Sequence, residues 1–302
     1  MSIGAGCHRR QVLGGAGLLT AALLAGDAAW SRQDSERSGA VQVDGVDVYY
    51  EVHGSALDGT ALPLVLLHGG ALTIETGFSP ELIMRFARRR PVIAIEQQGH
   101  GHTADRPAMP FTIDQMVKDT AAVLMHLRVR KADLLGHSLG GMIATGMSIR
   151  YPDLVRTVTT LGAPYQLEGF RPDLVRLQRG IDATPSPALA KLLPTEADFA
   201  AWRASFQRVA PDPGAFDAIL ERLNTMLATW RGWTDGELRS IQAPTLVAIG
   251  DNDYVRIDHA ADVTRLIPNA RLVVLPGTTH LGIVKRESWL EPMIESLAQP
   301  GL

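Results

Sequence analysis

The run Ala132-Asp133-Leu134-Leu135-Gly136-His137-Ser138-Leu139-Gly140-Gly141-Met142 joins a short apolar stretch to a helix-period segment through a serine flanked by glycines. A continuous apolar run of strand length, here residues 132–135, is what a strand buried on both faces requires. Residues 139–150 then follow at helical period. Gly136 to Gly140 satisfy G-x-S-x-G, and a sharp strand-to-helix turn there holds the serine in a strained backbone conformation. Glycines on both sides let neighbouring backbone pass closely, and Gly141 and Ala144 extend the small face. The turn predicts a Ser138 hydroxyl lifted above the sheet edge. Behind it, a helix N-terminus offers free N–H groups and a positive dipole end.

Outward from this turn the same rhythm repeats. Apolar runs at 62–67, 91–95, 155–161, 244–249 and 270–275 alternate with helix-period segments at 79–89, 113–127, 257–266 and 287–297. Strands of that texture alternating with helices predict an α/β fold built on a parallel sheet covered on both faces. Residues 41–43 and 46–52 flank Asp44-Gly45 and predict an opening hairpin. From Tyr165 to Trp233 no strand-like run occurs; helix-like stretches at 172–178, 186–193, 196–209 and 213–230 follow one another. An insertion of that length is too long for an ordinary connection and predicts a helical cap. The division is therefore 29–164 and 234–302 for the sheet domain and 165–233 for the cap.

The first residues read differently. His8-Arg9-Arg10 precede a short, weakly apolar run, and small residues follow at 26–29. The pattern predicts an export signal over 1–28, with paired arginines of the twin-arginine type, and hence a periplasmic or secreted protein. Without such a signal the protein would be cytoplasmic. The apolar run is too short to span a membrane. Twenty-nine basic against 32 acidic residues give a formal charge of −3, which carries no electrostatic footprint for nucleic acid. One cysteine, Cys7, excludes an internal disulfide.

A serine hydroxyl needs a base, and the base an orienting acid. Gly250-Asp251-Asn252-Asp253 follow one strand, and Thr279-His280 follow the next strand and the turn expected at Pro276-Gly277-Thr278. Both therefore emerge at the carboxyl ends of strands, where sites in such sheets lie. His100 and His102 form an H-x-H pair with no third ligand close in sequence, so no metal is expected there. Arg88-Arg89-Arg90 end a helix, where cations suit the dipole, and read as a solvated cap. His259 reads as a surface or partly buried side chain. Trp202, Phe206, Met226, Trp230 and Trp233 concentrate apolar surface in the cap; most should pack it onto the core and some should face the pocket.

Leu67-His68-Gly69-Gly70, Glu96-Gln97-Gln98-Gly99-His100-Gly101-His102-Thr103, Gly136 to Gly140, Gly250 to Asp253 and Gly277 to His280 together resemble the α/β-hydrolase fold enzymes with a helical cap. The similarity covers nearly all of the chain after the signal. It implies a mostly parallel, eight-stranded sheet flanked by helices and a triad of Ser138, His280 and Asp253. The last is chosen over Asp251 because the family's acid lies three residues after the glycine. It also implies an oxyanion hole of the Leu139 and Gly70 N–H groups, with Ala71 as the alternative to Gly70. The expected activity is cofactor-free hydrolysis of a largely apolar, small-molecule carboxylic ester or lactone. Carbon–carbon bond hydrolysis and haloperoxidase or perhydrolase chemistry use the same triad, and a non-catalytic binding module is the reading from another class.

Overall fold

The structure is a computed structural model and describes residues 37–297; the expected export signal and Cys7 lie outside the described residues. Eight strands form one sheet: β1 (Ser38–Val43), β2 (Val46–His53), β3 (Leu64–Leu67), β4 (Val92–Ile95), β5 (Ala132–His137), β6 (Val155–Leu161), β7 (Thr245–Asn252) and β8 (Ala270–Thr279). Their order is β1-β2-β4-β3-β5-β6-β7-β8. The pairs β1/β2 and β2/β4 are antiparallel and the others parallel. The hairpin closes through Asp44 and Gly45 at φ 43° and 90°, the left-handed pair that a two-residue turn of matching twist requires.

The apolar strands β3 to β7 are buried on both faces, and alternate residues serve different layers. At the sheet edge β8 departs from that expectation and leaves Leu272 and Val274 exposed. Leu64, Leu66, Val92 and Ala94 pack with Leu82, Ile83 and Phe86 of α2 (Pro80–Ala87) and with Leu290 and Ile294 of α11 (Glu287–Ser296). Val65, Leu67, Ile93 and Ile95 face α3 (Ile113–His126), α4 (Leu139–Arg150) and α10 (Ile257–Leu266) instead. The two-residue period of a strand is thus present inside runs that show no polar alternation.

Between β6 and β7 lie α5 (Pro172–Gln178), α6 (Pro187–Ala190), α7 (Glu196–Val209) and α8 (Phe216–Thr229). Leu174, Leu189, Phe206, Ile219, Leu223 and Met226 from these helices join the same apolar cluster as the sheet face beneath them. The ends of the insertion are stitched together, Trp233 N–H donating to Tyr165 O at 2.8 Å.

Several local expectations are corrected. The helix anticipated over 213–230 starts at Phe216, because Asp212 accepts from Gly214 N–H and winds Pro213–Ala215 into a 3-10 turn. Two short helices were not anticipated, α1 (Ile74–Gly77) and α9 (Asp235–Ser240); each is closed by a capping box, at Thr73/Thr76 and Thr234/Glu237. Pro276, Gly277 and Thr278 form no turn but lie inside β8. Arg90 is no solvated cap: it is buried, bonded to the buried Asp133 and 2.9 Å from Glu295.

A second buried ion pair holds the opening hairpin to the body. Arg106 donates to both carboxylate oxygens of Asp119 at 2.8 and 3.0 Å, to Gln98 at 2.8 Å, and to the carbonyls of Val43 and Asp44 at 2.7 and 3.1 Å. Every guanidinium nitrogen has an acceptor. Removing the cation strands a fully buried carboxylate, so Arg106→Ala should cost about 3–5 kcal/mol of stability. Urea unfolding measures this, and an unchanged midpoint would show the pair to be dispensable.

Candidate active site

Ser138 sits between β5 and α4 at φ 51° and ψ −115°, a region that costs a non-glycine residue roughly 1–3 kcal/mol. The surroundings enforce it. Its N–H donates to Leu161 O at 2.8 Å, and its carbonyl accepts from Gly141 and Met142 N–H at 2.9 and 3.1 Å. A Cβ on Gly136 would fall 2.1 Å from Gly140 O, and one on Gly140 would fall 1.9 Å from Leu67 O. The turn is therefore pressed against itself and against β3 too tightly for any side chain at either position.

The strands β7 and β8 run past their expected ends, and Asn252 pairs with Thr279 beyond a register shift. This brings Asp253 and His280 side by side: His280 Nδ1–H donates to Asp253 Oδ1 at 2.8 Å, with both side chains buried. Asp253 Oδ1 also accepts from Val255 N–H at 2.9 Å. With its proton on Nδ1, His280 leaves Nε2 as the acceptor. Asp251 does a different job. Its carboxylate accepts from Gly277 and Thr278 N–H, each at 3.0 Å, which clamps the end of β8 and lowers its own pKa.

Three neighbours hold His280: Tyr254 and Gly162, to which motif reading assigned no role, and His137 of the motif turn itself. The Tyr254 ring stacks on the imidazole with 4.0 Å between centroids, and burial pushes the phenol's pKa up. His137 Nε2–H donates to His280 O at 3.0 Å. Gly162, at φ 57°, leaves the room the pair needs, since a Cβ there would lie 2.7 Å from Asp253 Oδ2 and 3.0 Å from His280 Nδ1. A glycine directly after a buried strand was the available signal for this last residue.

Ser138, Leu139, His280, Gly70 and Ala71 all line one cavity of about 390 Å³. Ala71 N–H already donates to His100 Nε2 at 3.0 Å, which removes the alternative to Gly70 as a donor into the cavity. His100 Nδ1–H donates to Gln98 O at 2.9 Å, so both its nitrogens are engaged, and His102 Nδ1 lies 2.8 Å from Glu96 Oε2. The buried Glu96 also accepts from Ile74 N–H at 3.1 Å, fixing the loop that carries Gly70. Among the described residues, no three His, Cys, Asp or Glu side chains group as a metal site.

Trp202 lines the cavity beside Phe199 and Leu223. Phe206, Met226 and Trp233 are instead buried in the core, and Trp230 lies edge-on to Trp233 at 6.2 Å. His259 is more buried than its sequence context indicated: it accepts from Tyr165 N–H at 3.1 Å and stacks on the Tyr165 ring at 4.4 Å.

A family model for the alpha/beta hydrolase fold matches residues 63–287. The chain belongs to the alpha/beta hydrolase family. A 2-(acetamidomethylene)succinate hydrolase of Mesorhizobium japonicum is 29% identical over 230 residues, covering 72% of this chain and 81% of the relative. A non-heme haloperoxidase of Rhodococcus erythropolis is 29% identical over 264 residues, covering 78% and 90%. Among solved structures, the N-acyl homoserine lactone degrading enzyme Est816 superposes with a TM-score of 0.67 at 26% identity, covering 85% of this chain and 99% of its own. Relatives of this hydrolase thus carry out several chemistries on one fold.

Four histidines near the site are held neutral by burial. The pKa values of His68 and His137 are pushed down to about 3, and those of His100 and His259 to about 4. Each takes up a proton near pH ~6.5 once unfolded, so between about pH 6.5 and 4 the unfolded chain binds more protons than the native one. Stability is therefore complete above that window and falls as the pH drops through it, by up to ~1.4 kcal/mol per pH unit for each histidine. The urea midpoint should fall steeply from about pH 7 to about pH 5; a flat profile would contradict neutral burial of these rings.

Proposed function

We propose that the protein is a cofactor-independent serine hydrolase that cleaves carboxylic esters or lactones through an acyl-enzyme intermediate. In this reading Ser138 Oγ attacks the carbonyl carbon while His280 Nε2 takes its proton. Asp253 holds the imidazole in the required tautomer and offsets the positive charge it gains. The carbonyl oxygen, now an oxyanion, is met by the N–H groups of Leu139 and Gly70, each worth about 2.7–4 kcal/mol in comparable sites. As the tetrahedral intermediate collapses, His280 returns the proton to the departing alkoxide. Water, deprotonated by the same nitrogen, then releases the acid and restores Ser138.

The observation that carries this reading is the meeting of two independent features at one cavity: the left-handed Ser138, and a His280 whose Nδ1–H is committed to Asp253. Leu72, Met142, Leu174, Leu193, Leu220 and Leu227 on the walls suit an apolar acyl or alcohol portion. The lactone-degrading activity of Est816 agrees with ester or lactone chemistry. The haloperoxidase relative supports a second reading, in which hydrogen peroxide replaces water at the acyl-enzyme and a peracid leaves.

Ser138→Ala should lower hydrolysis of short p-nitrophenyl esters and of a γ-lactone by about 10³-fold or more while leaving the urea midpoint close to that of the parent protein. Turnover retained by the variant would remove Ser138 from the reaction.

A further inference from the structure

The cavity above Ser138 is walled by α5 and α8 almost wholly with leucines, and two side chains break the pattern. Gln178 is the last residue of α5, and Asn224 lies on α8. Both also border an outer hollow whose other residues include Arg179, Asp217, Glu221 and Thr225. The carboxamides therefore stand where the apolar cavity gives way to charged surface.

Gln178 Oε1 is shut off from solvent, yet it has no hydrogen-bond partner among the described residues. An unsatisfied acceptor of that kind costs about 1–3 kcal/mol, which a leucine like its neighbours would avoid. Its terminal torsion is broad and roughly two-fold, so a half turn presents either the oxygen or the NH₂ to the cavity. A carboxamide carries a donor and an acceptor in one plane. A secondary amide offers both complements, and because its N–H and C=O point in opposite directions, the N–H can donate to one carboxamide while the C=O accepts from the other.

Building on the ester or lactone reading of Ser138, we propose that Gln178, with Asn224 beside it, forms a polar subsite for a secondary amide in the substrate. The substrate class becomes esters or lactones that bear an N-acyl group at a distance from the scissile carbonyl, with apolar chain against the leucine walls. Selectivity would follow from desolvation. A substrate with methylenes at that position leaves Gln178 Oε1 shut off and unpaired, whereas an amide N–H satisfies it.

The test uses the full-length protein and p-nitrophenyl esters of equal chain length, with an amide at successive positions, each beside its all-methylene counterpart. The readout is the ratio of kcat/KM for the amide ester to that for its counterpart. Both values come from one preparation, so the ratio does not depend on how much protein is folded. At one amide position the ratio should reach about tenfold or more, and in Gln178→Met, similar in shape but without the polar atoms, it should collapse towards one. A ratio near one at every position in the parent protein overturns the proposal, as does a preference that survives in Gln178→Met. If instead neither ester type is turned over in a Ser138-dependent way, the ester reading fails and the subsite falls with it.

Discussion

The backbone of Ser138 is the constraint on which the rest of the site depends. An L-residue at φ 51° relaxes unless its neighbours forbid it, and here they do. Gly136, Gly140 and the carbonyls of Leu67 and Leu161 close around the turn from β3, β6 and α4, at distances that exclude even a methyl group at the two glycines. The strain of one residue is set against the packing of three elements. The consequence is a hydroxyl fixed at the mouth of a helix N-terminus, where N–H groups are unspent.

The second half of the site is built by a different device. Nothing local in Asp253 or His280 brings them together; the prolonged pairing of β7 with β8 does, and Asp251 fastens the end of β8 by accepting from two of its N–H groups. Tyr254 and His137 then hold the imidazole by a ring face and by its backbone carbonyl. The rigid frame sits on the sheet, while α5 to α8 close over it and supply most of the apolar wall. Under the serine-hydrolase reading, chemistry and selectivity reside on separate parts of the chain, in keeping with relatives that carry out different reactions on one fold.

How much of this was legible in the sequence follows from the range of the interactions. The turn at Ser138, the parallel core strands and the all-helical stretch between β6 and β7 are written in local texture; within that stretch Tyr165 and Gln166 are both hydrogen-bonded to Trp233. The continuation of β8 through Pro276 and Gly277 reads as a turn in the sequence, because those residue types signal turns and what overrides them is distant: the resumed pairing of Thr279 with Asn252 and the Asp251 carboxylate. The burial of Arg90 depends on Asp133 and Glu295, distant in sequence, so a run of three arginines gave no hint of it. Gly162 and Gln178 matter only through what lies opposite them.

The central claim is that Ser138 is a nucleophile activated by His280. It is tested most directly by intact-mass and peptide-mapping analysis after treatment with an alkyl fluorophosphonate, from which the attacking oxygen displaces fluoride. The account predicts one adduct, on the peptide containing Ser138, formed by the native protein and suppressed in His280→Ala. A native protein that stays unlabelled at Ser138, or a His280→Ala variant labelled as fast as its parent, would contradict it.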